Sequence, residues 1–373
     1  MRAVHALLLL GSCAGLNVFT RFEPIGRPAL EKFVSSQLPP ASPVTWAAEP
    51  PSGELQLVFW RWLVGAIDRE RVSVLALPSL EPRDVRQLVE MVELLPSRHY
   101  KLAPLPESSP VPGVAAFVQP PPPPPPPARD TPTGVAAAVE DGDAAATAMA
   151  RTAAWVDRTL SPAGLRFCPY TQSARLAGAG LEGFGVTAAP ITYAHCGSAA
   201  LPALLVAFWD ASCAMLAQGE VGTSSIVLAC PRFDARFDEW YQRVFPLLEE
   251  SVLAARLGRT LGIVCFHPAY STPDAAWLAR HRFGHMYAPA TLRRYVEEHD
   301  AELAAASSDD DLRWAGSYQR RSPHAMINVL WARQLEQAEQ KRKSSLLYTR
   351  NVRRALGEGR DALERAAAEE RER

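Results

Sequence analysis

Paired cysteine motifs, phosphate-binding glycine loops and nucleophile elbows are all missing from this sequence. No two of its six cysteines stand in C-x-x-C spacing, which excludes the common zinc ribbons and dithiol oxidoreductases. GAGLEGFG (178–185) has no strand before it and reads as a loop, so no Walker or dinucleotide fingerprint is present. There is no G-x-S-x-G turn either. Charge of one sign is lacking as well. Lys+Arg 39 against Asp+Glu 40 leaves a net charge of −1, which gives no electrostatic footprint for nucleic acid. No cofactor is expected, and no membrane span is expected in the mature chain.

What is present is core-forming material and proline. Hydrophobic residues make up 48% of 373 residues, enough for one large domain or two smaller ones. The 33 prolines are clustered, which predicts a disordered Pro-rich segment beside a folded part. MRAVHALLLLGSCAGLN has an early cation, a short apolar run and small residues after it, the shape of a secretory signal. The stretch after it is basic and rich in hydroxyls, like a transit peptide. Residues 1–50 are therefore read as a two-part plastid presequence, with plain secretion as the alternative. Leaving out Cys13, five widely spaced cysteines (168, 196, 213, 230 and 265) make no disulfide framework and fit a reducing compartment.

Four further segments follow. Residues 51–118 form a small α+β module, with LQLVFW and VSVLALP as strands and EPRDVRQLVEMVELLP as an amphipathic helix. Residues 119–148 are a linker built on the polyproline run Pro120–Pro127, a stiff spacer rather than a docking site for a polyproline-binding partner. Residues 149–357 alternate helices and strands. The helices are ARTAAWVDRTL, LPALLVAFWDASCAMLA and ARFDEWYQRVFPLLEESVLAARLG, the last kinked at Pro246. The strands are VTAAPITYA, SSIVLAC and TLGIVCF, the first placed at a sheet edge by Pro190. That order gives an α/β fold with a mixed or parallel sheet of at least three strands and packed helices. Residues 358–373 are a charged tail expected to be an exposed, fraying helix.

Three short motifs set a proline beside a chemically useful side chain: LRFCPY (165–170), CFHPAY (265–270) and RRSPH (320–324). Together with YTRNVRRALG (348–357) they occur in the order of a mainly bacterial family catalogued as domain of unknown function 1415, which the chain resembles over roughly residues 155–357. The resemblance implies no activity. The family's acid after His-Pro is Ala269 here, and the segment 269–319 is longer and holds an additional helix, TLRRYVEEHDAELAA.

Read by their chemistry, Cys168 is a candidate nucleophile and His267, just past a strand, a candidate general base. The bland readings are a buried structural thiol and a histidine held by a carbonyl. Ser322 and Pro323 look like the cap and first residue of a helix whose apolar face is Met326, Ile327, Leu330 and Trp331. The start of such a helix, with Arg321 and Arg320, would hold an anion. Metal ligation by His195-Cys196 with Cys265 and His267, or by His281 and His285, is the rival reading, and no metal is expected. Two functions stay open. One is a hydrolase or transferase for a small anionic substrate. The other is a non-catalytic protein whose motif residues shape a ligand pocket.

Overall fold

The computed structural model describes residues 27–39, 42–47, 52–69, 71–93, 100–118, 142–184, 186–272, 286–340 and 343–372. Residues 1–26 of the segment read as a presequence (1–50), the polyproline run and the His281/His285 pair lie outside these residues. The first part of the chain runs α1 (Arg27–Gln37), β1 (Val44–Trp46), α2 (Ser52–Asp68), β2 (Ser73–Ala76), α3 (Pro82–Glu93), β3 (Tyr100–Pro104) and β4 (Gly113–Val118). These strands form a four-stranded sheet in the order β1-β2-β4-β3, with only β1–β2 parallel.

Residues 27–46, read from sequence as part of the leader, belong to this body. Leu30 and Val34 of α1 close the outer face of the sheet over Val74, Ala76 and Ala115. LQLVFW is also not a strand. It lies in α2, whose Phe59, Trp60 and Leu63 are fully buried because the helix is covered on two sides.

The second part runs α4 (Gly142–Trp155), a π-turn (Val156–Leu160), β5 (Thr171–Ser173), β6 (Leu176–Ala177), β7 (Ala189–His195), α5 (Leu201–Gly222) and β8 (Ser225–Ala229). It continues through α6 (Phe237–Glu239), a π-turn (Trp240–Val244), α7 (Phe245–Ala254), β9 (Leu261–Phe266), α8 (Pro289–His299), α9 (Ala301–Ala306) and α10 (Asp309–Tyr318). The last elements are β10 (Met326–Trp331), α11 (Ala332–Gln340), α12 (Lys343–Glu358) and α13 (Arg360–Glu372). Helix α4 begins at Gly142, so the linker ends before residue 148. The π-turn at Trp240–Val244 lies just before Pro246, whose missing N–H breaks the regular ladder there.

The second sheet has the order β5-β6-β7-β8-β10-β9. β7 and β8 are parallel, while β10 runs antiparallel between β8 and β9. The sheet is therefore mixed, as the alternation of elements predicts. β7 is internal rather than at an edge. Pro190 is tolerated because its neighbour β6 pairs over only two residues.

One apolar core joins the two sheets. Phe59, Trp60 and Leu63 of α2 pack with Leu204, Leu205, Phe208 and Trp209 of α5, and this core continues to Ile226, Ile263 and Ile327 of the second sheet. Among the described helices, α5 alone is long and apolar enough to cross a bilayer; here its Leu204, Leu205, Phe208, Trp209 and Met215 are buried in this shared core, while Val221 near its end is exposed. The opposite face of the second sheet carries Trp155, Val227, Val264, Phe266 and Met326.

Candidate functional site

The four sequence motifs converge beyond the end of β9 and the start of β10. LRFCPY follows the π-turn of α4 in a tight reversal. Gly164 is required there, because a Cβ would lie 1.8 Å from the carbonyl oxygen of Arg158. The N–H groups of Leu165 and Arg166 donate to Arg158 O (2.8 Å) and Ser161 O (3.1 Å), and Arg166 takes the left-handed φ of 54°. A non-glycine residue in that region costs about 1 kcal/mol or more and is a pointer to a built site.

Helix α12 grips this reversal. Arg350 donates to Arg166 O (2.9 Å), Arg354 to Leu165 O (2.8 Å) and Arg166 O (3.2 Å), and Asn351 to Phe167 O (2.8 Å). Asn351 also donates to Gln319 Oε1 (2.9 Å), which ties in the segment leading to RRSPH. Trp155 Nε1 donates to Arg321 O (3.0 Å), and His267 N donates to Arg320 O (3.0 Å). Cys168 sits half-buried where the reversal meets α12.

The charges gathered there are of one sign. Burial is the largest effect on Arg350 and lowers its pKa; the nearby Arg354 and Arg166 lower it further, while a negative charge on Cys168 raises it. Among the described residues no carboxylate pairs with Arg166, Arg350 or Arg354. The neighbouring Arg353, on another face of α12, does have one in Asp300 (2.5 Å). Tyr170 borders Cys168, and its pKa is raised by burial and then by charge on that thiol. Of the other thiols, the buried Cys265 is pushed up to about 12 and the half-buried Cys213 to about 11, both mainly by burial.

The remaining residues expected at the site are placed differently. MINVLW is the central strand β10, buried between β8 and β9, so Ser322 and Pro323 open no helix and offer no helix N-terminus to an anion. Ser322 spends its hydroxyl on His324 O (2.6 Å). Arg321 is neutralised by Glu364 and donates to Tyr270 O (3.3 Å). Arg320 lies over the Phe266 ring, 5.3 Å from its centroid. The tail that supplies Glu364 is docked rather than fraying, with Leu363 buried and Glu370 bonded to Arg158 (2.6 Å). Arg321, paired with Glu364, ties the tail to this seam, whereas Arg320 has no carboxylate partner among the described residues and its buried Nε makes no hydrogen bond.

His267 is a structural histidine. Its Nδ1 accepts from Ala269 N (3.0 Å), so Nε2 carries the proton and donates to Phe233 O (3.0 Å). Both nitrogens are used, and the polar contacts of Cys168, His267 and Arg321 lead to different partners. Burial lowers the His267 pKa, against smaller opposing effects of Phe233 O and Asp234.

The sign of the consequence follows. The unfolded chain protonates this ring near the ordinary value of about 6.5, while the folded chain resists. Stability is therefore full above about pH 6.5 and falls with acid below it, by at most about 1.4 kcal/mol per pH unit, until the folded ring itself titrates. Urea titrations of the wild type and His267→Asn between neutral and mildly acidic pH check this. The variant is expected to lose much of the acid-side slope, and an unchanged slope would contradict the assignment.

Among the described residues no three His, Cys, Asp or Glu side chains come together to hold a metal ion. Comparison with family models, curated proteins and solved structures finds no match. Arg166, Arg350 and Arg354 were not singled out by sequence reasoning. The available signal was Arg350 and Arg354 at i, i+4 on one helix, a like-charge pair that weakens a helix on its own.

Proposed function

We propose that this protein binds a small anionic molecule, a carboxylate or a phosphate, against Arg166, Arg350 and Arg354, with Cys168 at the edge of the site. The observation that carries the reading is three arginines near one another with no carboxylate partner among the described residues, one of them with its charged form disfavoured by burial and by the other two. Such an arrangement is relieved by a bound anion, and arginine presents donors in the fork that oxyanions fit. A second reading adds catalysis. Cys168, partly exposed beside Arg350, would be the nucleophile of a transferase or hydrolase acting on that ligand. His267 takes no part in it. Five free cysteines and the leader-like residues 1–26 support a plastid setting for either activity.

Thermal unfolding with added inorganic phosphate, citrate or chloride at equal ionic strength tests the reading. Phosphate or citrate is expected to raise the midpoint of the wild type well above the chloride control, and to do so far less in Arg350→Met. Equal midpoints in all three salts would remove the anion site.

A further inference from the structure

A second candidate site lies between the two sheets, far along the sequence from the arginine cluster. A cleft of about 350 Å³ is enclosed by α2, by the turn before α3 with the first turns of that helix, and by the end of α7. This is the size of a small-molecule pocket.

Three features of its lining point to a ligand. Gln56 is 1% exposed and lines the cleft. Trp60 Nε1 is only a donor, so the bond between them (3.2 Å) fixes the Gln56 amide oxygen as acceptor. No bond joins the amide N–H₂ to a described residue, and it is not among the sealed polar atoms that lack a partner, so it borders the open space of the cleft. At the mouth, Asp84 and Arg256 face each other at 3.3 Å, with Arg256 71% exposed. So open a pair contributes little to stability and is readily exchanged for other partners. Arg256 also adopts the left-handed φ of 58° at the end of α7, where glycine is the usual residue. A strained arginine holds a guanidinium at the cleft that an unstrained glycine would not supply. The wall between is apolar, formed by Leu55, Leu80 and Leu88.

We propose that this cleft binds a free α-amino acid with an aliphatic side chain. Its carboxylate takes the Gln56 amide hydrogens and Arg256, its ammonium takes Asp84, and its side chain lies along the three leucines. Each charge of the ligand then replaces one half of the exposed Asp84–Arg256 pair, and the amide N–H₂ bordering the cleft gains an acceptor.

Isothermal titration of the full chain tests it, with L-leucine, L-valine, 4-methylpentanoate (leucine without its amine) and 3-methylbutan-1-amine (leucine without its carboxylate). Leucine or valine is expected to bind at least about tenfold more tightly than either half-molecule. Arg256→Gly relieves the backbone strain, so it is expected to fold, and to lose at least about tenfold in amino-acid affinity. The proposal is overturned if neither amino acid binds, if Arg256→Gly binds them unchanged, or if 4-methylpentanoate binds as tightly as leucine.

Discussion

Trp60→Ala is expected to destabilise both sheets together, by about 3–5 kcal/mol. Trp60 is fully buried in α2, packs edge-on against Phe59 at 5.3 Å, and belongs to the core that α2 shares with α5. Its removal leaves a large cavity between two helices, and it strips Gln56 of the donor on its amide oxygen. Because apolar contacts run without a break from the first sheet through α2 and α5 to the second, loosening is transmitted to both. Hydrogen exchange followed by mass spectrometry reads this on β4 (113–118) and β8 (225–229) in the same sample. Both strands are expected to lose protection to the same extent. Loss confined to β4 would show that the two sheets are separate folding units, as the polyproline run alone would lead one to expect.

The second large effect is expected at Gly164. A methyl group there would meet the carbonyl oxygen of Arg158 at 1.8 Å, and its carbon at 2.4 Å. Both are backbone atoms of the α4 π-turn, so no rotamer change relieves the clash and the chain itself must move. Gly164→Ala is expected to cost about 1–3 kcal/mol, the usual range for overpacking that displaces backbone. The displacement falls on the reversal whose carbonyls Arg350 and Arg354 hold, so the site is expected to fail before the fold does. The check is phosphate-dependent stabilisation of the variant measured below its own melting range. A variant that keeps wild-type stability and its full response to phosphate would contradict the rigid reversal.

Much of this architecture is legible in the sequence, and the failures have physical reasons. EPRDVRQLVEMVE carries an apolar stripe at helical spacing with polar residues between, and it is α3. SIVLA and LGIVCF are short, β-branched and bounded by turns, and they are the buried strands β8 and β9. LQLVFW and MINVLW defeat the same logic. Each is apolar at nearly every position because each is covered on both sides, and such a run has no period to separate helix from strand. Length decides between them. MINVLW is only six residues long before the polar helix ARQLEQAEQ begins, whereas LQLVFW continues as RWLVGAID through about two more turns of the same helix. The Ser322-Pro323 cap signal was real chemistry in the wrong setting, since the hydroxyl serves His324 O.

The site was legible only as a gathering of motifs. That LRFCPY, HPAY, QRRSPH and TRNVRR meet is visible in their bonds, but which side chains remain free depends on partners distant in sequence. Glu364, 43 residues from Arg321, removes that arginine from contention. Phe233, 34 residues from His267, does the same for the imidazole. No local pattern reports such pairings. The arginines without carboxylates emerge only once those partners have been assigned.

Alkylation of Cys168 with two reagents of nearly equal size tests the anion site most directly. Iodoacetate carries a carboxylate and iodoacetamide does not; an isolated thiolate repels the former and reacts faster with the latter. Beside Arg166, Arg350 and Arg354 that order is expected to reverse at Cys168. The iodoacetate rate should saturate with reagent concentration, and the preference should fade in high salt and in Arg350→Met. Iodoacetamide reacting faster at Cys168, with a linear concentration dependence that Arg350→Met leaves unchanged, would contradict an anion-binding site there.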